Sequence, residues 1–161
     1  MASTRSMVQM LDPLSVSDMV LRAVVLIGFT CLFRPDSYQE LKWRHVTFQA
    51  HVDEEGDLRV EVVVVVPDIK SVGYAAALGG VGRSVKLKEF EVRELCGVRT
   101  LVALAMEMGV LELDLLKACR EQSFVVKQEC LDYVVFPAVE GGVLSPHKTV
   151  SRVGGCAIVC R

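Results

Sequence analysis

Five consecutive valines, Val62–Val66, close the segment Leu58–Val66 and narrow the chain's options more than any other feature. A β-branched side chain loses rotamer freedom in a helix and packs well on a pleated surface, so the run predicts a strand. Because the run does not alternate with polar residues, it predicts a strand covered on both faces. Its sequence neighbours supply partners. His45–Val52 alternates as a preceding strand, Asp53–Asp57 reads as the turn between the two, and Arg83–Leu87 alternates as a third strand.

Helical spacing surrounds this sheet. Ser15 and Asp18 stand three apart before an apolar stretch, a capping pattern that predicts a helix from Val16 to Leu32. That helix is apolar on most of its circumference and belongs inside a domain. Its apolar run Ala23–Phe33 is shorter than the about 20 residues needed to cross a bilayer. Arg34-Pro35-Asp36 follows it, where a secretory signal would carry a small-residue cleavage site. Pro35 suits the first turn of a short second helix, with Tyr38, Leu41 and Trp43 on its inner face. Glu91–Met108 returns to helical spacing, and further helices are expected over Glu112–Arg120 and Ser123–Tyr133. Phe136-Pro137 and Gly141-Gly142 mark a loop, and Pro146 opens a final helical segment. The expectation is an α+β fold: a mainly helical domain over residues 15–161 with a small three-stranded antiparallel sheet, preceded by a loose leader over 1–14.

Composition excludes several classes. A chain of 161 residues with 52% hydrophobic and 24% charged content is one globular domain. The net charge of −2 argues against a broad basic surface for nucleic acid, though not against a local patch. Cys31, Cys96, Cys119, Cys130, Cys156 and Cys160 form no CxxC pair, and the histidines lack metal-ligand spacing. Reduced thiols in a soluble intracellular protein are expected, with neither disulfide nor zinc. Gly79, Gly80 and Gly82 complete no phosphate-loop motif and read as a flexible loop.

The segment Cys31–Val46, CLFRPDSYQELKWRHV, has a pattern of its own. An arginine, Arg34, follows an apolar helix; Leu41 and Trp43 stand seven and nine positions beyond it, and a strand begins near His45. This resembles the first signature of the tyrosine recombinases, the phage integrase family. That family commonly carries Glu and Asp where this chain has Ser37 and His45. The resemblance continues through Lys70 in PDIKS between two strands, and through Arg83-Ser84-Val85-Lys86-Leu87, similar to the family's returning strand. Ser151-Arg152-Val153-Gly154-Gly155 resembles its second arginine box, with Thr149 at the usual histidine position.

The resemblance implies catalytic roles for Arg34, Lys70 and Arg152 in DNA integration and recombination, with duplex DNA as partner and no cofactor or metal. It implies a phosphodiester clamped by the two arginines, and a departing 5′ oxygen protonated by the lysine. The family's nucleophilic tyrosine comes after the second arginine box. Tyr38, Tyr74 and Tyr133 all precede Arg152, so a DNA-binding remnant or fragment unable to cleave alone is expected. Family members assemble as oligomers on DNA. Two other readings stay open: an active recombinase whose tyrosine segment lies outside this chain, and an α+β interaction domain with no DNA role. On that last reading Arg34 caps the helix before it, Lys70 is a solvated loop lysine and Arg152 lies on an exposed helix surface.

Overall fold

The computed structural model describes residues 15–31, 38–66, 83–92, 95–112, 120 and 122–150. Helix α1 runs over Val16–Cys31. Its start is capped as the sequence suggests, with the Asp18 amide donating to the Ser15 hydroxyl at 3.4 Å. Val20, Ala23, Ile27 and Cys31 share its buried face. The chain then enters a short 3-10 turn, Trp43–His45, beside which Leu41 and Trp43 are wholly buried.

Three strands follow in an antiparallel meander: β1 (Val46–Val52), β2 (Leu58–Val66) and β3 (Arg83–Lys88). The DEEGD turn forms as expected. The Asp53 carboxylate accepts from the Glu55 and Asp57 amides at 3.1 and 2.8 Å, and Gly56 takes a positive φ of 87°. The valine run is not covered on both faces. Val60, Val62 and Val64 point into the core with Val46, Phe48 and Leu87, whereas Val65 on the other face is 37% exposed. Lys86 and Ser84 stand opposite Val63 and Val65 on β3, giving the outer face enough polar cover to leave it open.

Helix α2 (Gly97–Glu107) lies with α1 over the inner face of the sheet. It begins later than the apolar spacing from Glu91 suggests. A side chain at Gly97 would meet Ile27 of α1 at 3.0 Å, so the helix starts where the chain can pass closest to α1. It ends in a Schellman motif: the Gly109 amide bonds the Met106 carbonyl at 2.9 Å, and the Val110 amide bonds Ala105 at 3.0 Å. Gly109 supplies the positive φ of 64° that this stop requires.

The C-terminal third departs from the helical expectation. Ser123–Phe124 forms β4, which joins β1 and makes the sheet order β3-β2-β1-β4. Lys127 and Glu112 extend this connection by bonding across to Val110 and Val125. The β-branched pair Val125-Val126 resists the helix predicted over 123–133, and only the 3-10 turn Gln128–Cys130 remains of it. Beyond it, β5 (Pro137–Glu140) and β6 (Val143–Thr149) form a hairpin closed by Gly141-Gly142, both at positive φ. Pro146 therefore opens no helix. It sits in β6 at an irregularity where Pro137 faces Thr149 but Ala138 faces Ser145, so no ladder bond is asked of its missing N–H.

Among the described residues the result is an α+β architecture, two helices on one four-stranded antiparallel sheet plus a two-stranded hairpin, balanced rather than mainly helical. No described helix is long and apolar enough to cross a membrane. Most of the helix expected over Glu112–Arg120, Leu32 at the end of the first predicted helix, and the predicted helix start at Pro35 lie outside the described residues.

Candidate phosphate-binding site

Arg34, Lys70 and Arg152 themselves lie outside the described residues. The structure does describe the segments that carry them. Cys31 closes α1 three residues before Arg34, and extended-chain geometry limits that separation to about 11 Å. Val66 closes β2 four residues before Lys70, a reach of at most about 14 Å. Val66 pairs directly with Arg83 at the start of β3, so both ends of the Lys70 connection are fixed at one point of the sheet.

Two of these anchors are electrostatically linked. Burial pushes the Cys31 thiol up to about 11, and the positive charge of nearby Arg83 acts against that rise.

The third anchor arrives through the backbone. The chain leaving the Arg34 region bonds the C-terminal third: the Val135 amide donates to the Leu41 carbonyl at 3.0 Å, and Trp43 donates to Tyr133 at 3.0 Å. The next residue along, Phe136, accepts from the Val150 amide at 3.1 Å, two residues before Arg152. Phe136 and Leu41 both belong to the buried core, so this connection is rigid on both sides.

Most other described cations are already answered by acids. Arg59 donates to Asp53 at 2.7 Å and lies near Glu55, Asp57 and Glu89; Arg99 reaches the same Glu89 at 3.4 Å. Lys86 and Lys88 flank Glu61, Lys42 and Arg44 hold Asp132, and Lys148 binds Glu140 at 2.9 Å. The Lys86 hydrogen bond draws Glu61 below the usual carboxylate range, and the Arg59 hydrogen bond does the same for Asp53. The Asp53, Glu55 and Asp57 carboxylates lie within 4.8 Å of one another, close enough for a metal ion, but Arg59 answers their charge in place.

His45 stands where the recombinase signature commonly has aspartate. Its Nδ1 accepts the Lys42 amide at 3.2 Å and closes the 3-10 turn. Partial burial, then Arg44, then Lys42 all lower its pKa, so the neutral ring is favoured. Sequence reasoning had not given His45 this capping role. The signal was present in a histidine three residues beyond Lys42 at the mouth of a strand.

Of the tyrosines, Tyr133 packs edge-on against His147, with ring centroids 5.0 Å apart, and Tyr38 is partly buried against the core. Cys31, Cys96 and Cys130 are buried and free. No protein-family model, curated protein or solved structure matches this chain.

Proposed function

We propose that the chain is a DNA-binding part of a tyrosine-recombinase-like catalytic domain, contacting one phosphodiester of duplex DNA through Arg34, Lys70 and Arg152. The observation that carries this reading is the shared anchorage of the three segments. The Val66–Arg83 pair holds both ends of the Lys70 connection at one point of the sheet, the Arg83 charge acts on Cys31 at the end of α1, and the consecutive residues Val135 and Phe136 tie the chain beyond Arg34 to Val150. The meander β1-β2-β3 directly after the arginine segment is the arrangement the family resemblance implies.

The chemistry follows from the residue types. Negative charge grows on the non-bridging oxygens as phosphorus is attacked, and two planar guanidiniums can hold those oxygens by paired hydrogen bonds without deprotonating. An ammonium on the connection between strands can hand a proton to the departing 5′ oxygen. Tyr38, Tyr74 and Tyr133 all precede Arg152, so none of them stands at the position from which the family's hydroxyl attacks phosphorus.

The affinity is low and insensitive to sequence, because phosphate contacts position without specifying and because acids neutralise most described cations. A salt series of duplex binding with residues 1–161 and the Arg34→Ala/Arg152→Ala double variant tests the reading. The double variant binds more weakly at low salt and shows a shallower dependence on salt, by about 1 in slope for each phosphate that is no longer neutralised. Equal binding across the series would assign the chain to the alternative class, an interaction domain without a DNA role.

A further inference from the structure

We infer that the recess between the start of α1, the end of α2 and the β5–β6 hairpin binds a small molecule with an apolar body and one cationic amine. Val16 lines it at the start of α1, whereas the Arg34 segment leaves from the other end of that helix, beyond Cys31. The site therefore goes beyond the DNA-binding reading and does not depend on it.

The packing of the two helices creates the recess. Gly97, which opens α2, lies against Leu26 and Ile27 near the end of α1, so the start of α1 comes beside the end of α2. The hairpin closes the third side, and the enclosed volume is about 350 Å³, the size of a small-molecule site. Val16, Met108, Leu144 and Pro146 give it apolar walls suited to a hydrocarbon body. Two further groups favour a positive charge. Tyr133 contributes an aromatic ring to the wall, set perpendicular to the His147 ring at 5.0 Å between centroids. Glu107 carries the only charge among the described lining residues, and it closes α2 where the helix dipole is negative. An ammonium is already drawn to this end of the helix: Lys127 Nζ donates to the Gly109 carbonyl at 2.7 Å. Carboxylate, helix end and ring act in the same direction, so an amine is accepted and an anion is repelled.

The experiment titrates phenylbutylamine and its neutral counterpart phenylbutanol into the full chain and follows the Met108 methyl resonance by NMR. The buried Trp43, the only tryptophan, reports that each variant is folded. In the parent the amine shifts the Met108 methyl and binds more tightly than the alcohol by about two- to fivefold, the worth of one solvent-screened ion pair. Glu107→Gln removes that preference and leaves alcohol binding as in the parent. Glu54→Gln, which removes an acid from the β1–β2 turn, keeps the preference. Leu144→Phe fills the recess and weakens both compounds. An unshifted Met108 methyl in the parent overturns the site. Equal binding of the two compounds, or a preference that survives Glu107→Gln, overturns the amine assignment. Duplex binding by Glu107→Gln matches the parent, so failure of this site leaves the DNA-binding reading standing.

Discussion

His45 is the residue whose chemistry is most sharply set by its neighbours. Neutral, it accepts the Lys42 amide; protonated, its Nδ1 becomes a donor facing that same N–H, with Arg44 and Lys42 close by. Its folded pKa lies below the ordinary 6.5, so the unfolded chain binds the proton more readily. The stability it contributes is therefore complete above that value and is lost as pH falls through the folded pKa. His45→Gln keeps an acceptor but cannot titrate. The stability gap between parent and variant, read from Trp43 fluorescence in denaturant, should shrink from pH 7 to pH 5. A gap that stays constant would show that the ring does not hold the turn in its neutral form. Gly109 offers a second test at this scale. Alanine there is forced into positive φ at the helix stop, and Gly109→Ala should lower stability by about 1 kcal/mol in the same assay.

At the scale of elements, the sheet shows what pattern alone leaves open. An unbroken valine run announces a strand, yet cannot reveal which face is covered, because Val63 and Val65 are as apolar as Val62 and Val64. Cross-strand partners decide it: Lys86 and Ser84 leave the outer face open, while Phe48 and Leu87 close the inner one. Val64→Thr, which puts a hydroxyl into the core, should cost about 1–3 kcal/mol. Val65→Thr should change stability by less than about 0.5 kcal/mol. Similar losses at both positions would return the strand to the two-sided burial its composition suggests. The first helix and the meander were legible because a cap, an acidic glycine turn and β-branched strands agree locally. The region from Ser123 onward was not, because its extended form depends on pairing with β1 and with Val110–Glu112, contacts distant in sequence. Gly141-Gly142 before an alternating segment was a hairpin signal, and Pro146 obscured it by resembling a helix start. Arg34, Lys70 and Arg152 were named from residue types and spacing and lie outside the described residues; the pairing of 41–44 with 131–135, which ties the chain beyond Arg34 to the C-terminal third, is carried by no local pattern.

For the whole molecule, the core built by Trp43, Phe48, Phe136, Leu101 and Leu104 locks both helices to the sheet and the hairpin to the chain beyond Arg34. With a net charge of −2, the proposed DNA contact has to be local rather than a broad basic surface. Binding and cleavage should then separate. Residues 1–161, incubated with a nicked suicide duplex and run on a denaturing gel, should bind without forming a covalent adduct; an adduct mapping to Tyr38, Tyr74 or Tyr133 contradicts the assignment of the chain as a binding part alone.

The central claim is that Arg34 and Arg152 grip the same phosphate, and a double-mutant cycle on duplex affinity at low salt measures that directly. Two clamps on one group depend on each other, so the cycle of Arg34→Ala, Arg152→Ala and the double variant should give a coupling above about 0.5 kcal/mol. Strictly additive losses would mean that the two arginines touch DNA at separate places, and no shared clamp exists.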